Sequence, residues 1–440
     1  MSEPLPLARA ERLALRLGPG ILMAGAAIGV SHLVQSTRAG AEFGLQLAAV
    51  VVLAHAVKYP FFEYGHRYAA ATGESLLDGY ARLGRAYLAA FVAMLAVSSV
   101  ITVAGVTVVT AGLASHLFGG GWPAAAWSAL LLAACAAWLG IGRYRALDRA
   151  MKWIMAGLFT ATLAAAAIAM AHGPVAPAGY RGPPAFDAAA LPFLIALIGW
   201  MPAPIEGSVF QSLWVLADGE RTGTRMNPRE ARADFHFGYA LSIVVALAFL
   251  SLGALVMHGS GVTFSNSAAG FAGQLVDLYA RTLGPWARPL VAIAAVTTML
   301  STLLAILDAY PRSLVAGVAR LRAAPANGVS TRPGAGNGAP HTGSAPAYWA
   351  ALLAIAAVAV VIVQRYSGSL RGLVDLATTL AFLSAPVLGW LNHRLLMSAH
   401  TPAEARPAPA LAWGARAGIA FFTLFGLLYL AQRFVPRGAS

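Results

Sequence analysis

The chain has 440 residues, 59% of them hydrophobic and only 11% charged, where a soluble domain carries about 25% charged residues. Its formal net charge is +13, but the basic residues fall in short stretches between apolar runs, which argues against a nucleic-acid-binding surface. The single cysteine, Cys135, sits inside an apolar run; a disulfide framework and a cysteine-based metal centre are therefore excluded, and it reads as a packing residue.

Apolar runs of roughly 20 residues recur from end to end, the pattern of a multi-pass membrane protein whose main partner is the lipid bilayer. The first 16 residues hold Arg9, Glu11, Arg12 and Arg16. They lack the apolar core and cleavage site of a signal peptide, so 1–18 reads as a cytoplasmic arm. Spans are predicted at 19–40, 44–66, 87–116, 123–141, 150–171, 190–216, 237–258, 286–317, 347–365, 371–396 and 411–432. With the N-terminus inside, most Lys and Arg fall in the arm and in the loops after the even-numbered spans, as the positive-inside rule demands. The C-terminus is then outside. An Ala-, Gly- and Arg-heavy composition suggests a bacterial inner membrane. Segment 323–346, rich in Gly, Pro, Ala and Ser, reads as a flexible cytoplasmic linker between the eighth and ninth spans.

Two spans are interrupted at mid-depth. In the sixth, Met201-Pro-Ala-Pro204 removes a backbone donor and forces Met201 away from helical angles. In the first, Gly29, Ser31 and His32 lie at the centre, after a flexible Gly18-Pro19-Gly20 entrance. The two spans run in opposite directions. Matched breaks five spans apart predict an inverted repeat, 19–171 and 190–396, followed by an eleventh helix at 411–432, with the transported species held between the breaks.

In order and spacing, several pieces resemble the NRAMP family of divalent metal ion transporters. They are Gly18-Pro-Gly20, Ala39-Gly-Ala-Glu-Phe-Gly44, Arg67 with Ala71-Thr-Gly73, Arg143-Tyr-Arg-Ala-Leu-Asp148, Met201-Pro202, and the Thr/Ser-rich eighth span with Thr297, Thr298, Ser301 and Thr302. The resemblance implies an all-α LeuT-like 5+5 inverted repeat with broken helices 1 and 6 and about 11 transmembrane helices. It also implies a secondary transporter of manganese or iron, coupled to protons, with no cofactor. The metal motif departs from the family. Where the family has Asp-Pro-Gly-Asn in the first helix, this chain reads Gly29-Val30-Ser31-His32, and the sixth-helix Met-Pro-His-Asn is Met201-Pro202-Ala203-Pro204. The family's acidic pair in the third helix falls near Val103 and Val106.

The substrate-site candidates are therefore Gly29, Ser31, His32, Ile198, Met201, Ala203 and Glu206. His32, Met201 and Glu206 are the metal-ligand candidates, a borderline-soft set in which Glu206 replaces the missing aspartate. Glu206 equally suits the free amides and positive dipole at a helix start. His32 and His55 are candidate proton carriers. Arg38 and Glu42, four apart, and Asp308 are candidate gate residues. Lys58 and Glu63 are expected to snorkel or pair locally. The alternative is a small organic solute, because Gly29 and Ala203 enlarge the site. No hydrolase elbow, P-loop, HExxH or Cys/His cluster supports an enzyme.

Overall fold

The computed structural model describes residues 18–119, 121–141, 144–323, 344–366 and 368–434, all of them in helices, turns or connecting loops. Residues 1–17 of the predicted arm and 324–343 of the predicted linker lie outside them. In a bilayer core no water reaches the backbone, so each amide and carbonyl must be satisfied within the protein. The apolar runs accordingly fold as helices. Eight helices among the described residues are long and apolar enough to cross a membrane.

The first run is α1 (Pro19–Ala27), which stops at Ile28 and Gly29 and resumes as a π-helical turn, Ser31–Ser36, and α2 (Thr37–Phe43). Gly44, at φ 63°, ends it, and α3 (Ala48–Thr72) follows. The short α4 (Leu76–Leu83) opens with a capping box between Ser75 and Asp78. Next come α5 (Arg85–Phe118), α6 (Ala124–Ile141) and α7 (Tyr144–His172). The second broken run is α8 (Leu191–Trp200) and α9 (Gly207–Thr222), separated by 201–206. α10 (Pro228–Leu252) continues into a π-helical turn, Gly253–Met257. Then come α11 (Ala268–Leu283), α12 (Ala287–Arg322), α13 (Ala345–Arg365), α14 (Leu370–Leu396) and α15 (Pro409–Phe434). Helices occupy every predicted span. The sequence reading missed α4 and α11, which lie between predicted spans.

Apolar helices gain nothing by hiding from lipid tails, so close backbone contact holds them together. Where α1 crosses α10, a Cβ on Gly20 would lie 2.1 Å from the Asp234 carbonyl oxygen, and one on Gly238 2.1 Å from that of Gly20. Farther along, a Cβ on Gly40 would meet the Leu250 oxygen at 2.0 Å, and one on Gly253 the Thr37 oxygen at 2.1 Å. Both halves of the first run thus lie directly on one helix. At the start of α1, the Gly18 and Gly20 amides donate to the Asp234 carboxylate at 3.2 and 2.6 Å. That places a carboxylate at the positive end of the half-helix. Leu130, Leu353 and Leu427 are exposed on the outside, as suits a lipid-facing surface.

Candidate substrate site

The two breaks touch. At the first, the Ile28 amide bonds to the Ala24 carbonyl at 2.8 Å, and the helix restarts with the His32 and Leu33 amides on Gly29 at 3.1 and 2.9 Å. Ser31 takes up what the break frees: its Oγ lies 2.7 Å from the Ala27 oxygen and 3.1 Å from the Pro202 oxygen in the second break. The same hydroxyl is 2.7 Å from His32 Nδ1. His32 Nε2 faces the Ser242 carbonyl at 3.0 Å. A carbonyl only accepts, so Nε2 carries the proton; in a neutral ring Nδ1 is then an acceptor that shares the single Ser31 hydroxyl proton in turn with the two carbonyls.

At the second break Met201 is extended and the Met201–Pro202 peptide is cis. α9 restarts with the Gly207, Ser208 and Val209 amides on the carbonyls of Pro204, Ile205 and Glu206. The carbonyls left free at the end of α8 meet a charged donor. Lys58, fully buried on α3, donates to Gly199 O at 2.7 Å and Ala203 O at 2.9 Å. A cation there completes the negative end of α8. The sequence reading expected Lys58 to snorkel or pair locally. Glu63 pairs instead with Arg67 at 2.6 Å, and the freed carbonyls draw Lys58 inward.

Beside the breaks is a cavity of ≈ 70 Å³, room for several waters. Its walls are largely apolar and aromatic, with Phe62, Trp200, Phe210, Trp214 and Tyr310 prominent. Among the described residues lining it, Glu206 is the only carboxylate. Glu206 is buried, and its Oε1 accepts from Ser98 and from the Tyr310 hydroxyl. Its Oε2 has no hydrogen-bond partner. It makes no side-chain cap to α9, although it occupies the N-cap position. An orphaned carboxylate oxygen at such depth is costly and calls for a ligand or water. Trp200, also on the wall, has an unpartnered indole N–H.

The predicted site residues divide. Gly29, Ser31, Ala203 and Glu206 line the cavity. His32, Ile198 and Met201 do not; all three are buried in packing, and both His32 ring nitrogens are engaged behind the first break. The ligand set His32, Met201 and Glu206 is therefore not assembled. Among the described residues, no group of three or more His, Cys, Asp or Glu side chains is placed to hold a metal ion. His55 also stands off the cavity. Its Nδ1 bonds to the Val51 carbonyl at 2.8 Å, and its ring packs edge-on against Tyr239. Asp308 pairs with Arg312 on its own helix at 2.7 Å and accepts from Tyr348 at 2.7 Å. It joins α12 to α13 and lies outside the cavity wall.

Arg38 and Glu42 form the expected i,i+4 pair at 3.0 Å. Arg38 also reaches Asp375 on α14 through Nη1, at 2.8 and 3.0 Å, and lies 4.6 Å from the centre of the Phe193 ring on α8. One guanidinium thus ties α2, α8 and α14 together. The cavity extends the other way, along α1 to Met23 and along α9 to Trp214. Sequence reasoning missed Lys58, Ser98, Asp375 and Tyr310. Only a charge too deep to snorkel, as at Lys58, could have signalled one of them.

Residues 20–432 match the family described as natural resistance-associated macrophage protein-like, Nramp. An uncharacterized protein of Pasteurella multocida is 35% identical over 421 residues, 95% of this chain and 92% of that protein. A mutant of the Eremococcus coleocola manganese transporter superposes at a TM-score of 0.71 with 15% identity, covering 100% of this chain and 92% of that one. The same transporter in complex with an aromatic bis-isothiourea substituted compound gives 0.69, 15% identity, and 100% and 91% coverage. The fold is the LeuT-like inverted repeat, with broken first and sixth helices. A match running through both breaks and nearly the whole length means that the chain belongs to the Nramp family.

Proposed function

We propose that this Nramp-type transporter moves a divalent metal ion by alternating access around its two breaks, with Glu206 as the carboxylate that holds the ion. The observation that carries this reading is that Glu206, which lines the cavity between the broken helices, has a buried Oε2 without a hydrogen-bond partner. With Met201 and His32 turned away, the oxygen donors are one carboxylate, nearby hydroxyls and water. A hard ion that keeps part of its water shell, such as manganese, suits that set better than a soft one. Family membership favours the metal over the organic-solute alternative.

In this reading the repeats are 19–171 and 190–396, the chain crosses a bacterial inner membrane eleven times, and the N-terminus is cytoplasmic. The Arg38 cluster then closes the outer side and the cavity leads inward. Arg38 and Glu42 are gate residues, joined by Asp375.

Manganese uptake into proteoliposomes tests the assignment. Glu206→Gln removes the charge but keeps the shape, and uptake should fall by about tenfold or more. His32→Ala and Met201→Ala should each bind manganese with wild-type affinity by calorimetry, since neither side chain lines the cavity. Undiminished uptake by the Glu206→Gln protein would refute Glu206 as the ion's ligand.

A further inference from the structure

Lys58 is a buried charged group at the second break that transport through Glu206 does not use. Its side chain is completely buried on α3, and among the described residues no carboxylate lies within ion-pair distance. The ammonium is held instead by two backbone oxygens, Gly199 O at the end of α8 and Ala203 O within the second break. Glu206 is the anion whose field reaches it, His55 sits one turn earlier on the same helix, and the centre of the Phe422 ring lies 6.0 Å away. Unwound backbone whose carbonyls converge at mid-depth is the usual construction of a small-cation site in inverted-repeat transporters. Ammonium and potassium are close in size, and carbonyl oxygens satisfy both.

We propose that Lys58 is a resident cation: its ammonium fills a monovalent-cation site formed by Gly199 O and Ala203 O. The transported ion is then confined to the Glu206 side of the break, and the protein needs no bound sodium or potassium to hold the break together. Removing the ammonium exposes an empty site of that chemistry. A simple packing lysine would leave none, because the surrounding helices would close over it.

Unfolding of the full-length protein in detergent, in sodium, potassium and choline chloride at equal ionic strength, tests this. The wild type should melt at one midpoint in all three salts. A midpoint raised by sodium or potassium over choline overturns the proposal. Lys58→Ala should melt lower in choline and recover by about 3 °C or more with propylammonium, which rebuilds the side chain beyond Cβ. If that variant survives extraction only with propylammonium, the outcome also supports the site. No recovery, or failure to fold with and without the amine, overturns it. Lys58→Met keeps the stem without the charge and should show no propylammonium effect; recovery there would mean the amine acts elsewhere, and would overturn the proposal too. The readout is unfolding rather than uptake, so failure here leaves the Glu206 reading standing, and absence of manganese uptake leaves Lys58 standing.

Discussion

Gly29 stands where the resemblance to the Nramp family implies an ion-binding aspartate, and Thr302 packs closely against it. A Cβ at this position would meet Thr302 Cγ2 at 3.0 Å and Oγ1 at 3.1 Å. Restoring the acid alone therefore overpacks the break, and Gly29→Asp should destabilise the fold by about 1–3 kcal/mol. Combined with Thr302→Ala it should fold and bind manganese more tightly than the wild type, two carboxylates then facing one cavity. Thermal unfolding and calorimetry on the two variants check both halves of this expectation. Residue types and depth were legible in the sequence, and so was Glu206, which lines the cavity. Direction was not. His32 and Met201 lie at the right depth, but their side chains turn toward α10 and the interior packing, a choice made by Ser242 and by the geometry of the break. Lys58 was misread for the same reason: a sequence shows a lysine deep within a span, not the two carbonyls that hold it there.

Among the elements, the long apolar helices follow from hydropathy alone, and the breaks follow from proline and glycine at mid-depth. The connecting helices are harder to read, because α4 and α11 mix polar and apolar residues and depend on packing. α4 shows what such packing adds. Its Asp78 accepts from Arg320 Nε at 2.7 Å, from the Ser75 hydroxyl at 2.5 Å and from the Ser75 amide at 3.0 Å, which ties the loop helix to the end of α12. Burial alone would raise the Asp78 carboxyl, but Arg320 and Ser75 outweigh it and hold the group below the usual carboxylate range. The resulting stability is present above the unfolded value, about pH 3.9, and is lost as pH falls through the lower folded value. For this partly exposed pair the contribution is on the order of 1 kcal/mol. Melting midpoints measured from pH 6 downward should show that loss, and Arg320→Gln should remove most of it.

For the whole molecule, the inverted repeat was legible because two interrupted runs recur five spans apart in opposite directions. What periodicity could not show is that the two halves carry charge unequally. From Pro19 through Thr37 the first run has no Asp, Glu, Lys or Arg. Lys58 and Glu206, the charged groups beside the cavity and the breaks among the described residues, belong to the surroundings of the second break. A swing of α1 away from α10 therefore drags no formal charge through the electric field of the membrane, where one charge crossing 100 mV is worth about 2.3 kcal/mol. The empty carrier should reset at the same rate whatever the potential, and voltage should enter only with the ion. Manganese exchange and net uptake, compared in vesicles held at different potentials, would show it: the voltage sensor of this transporter is its passenger.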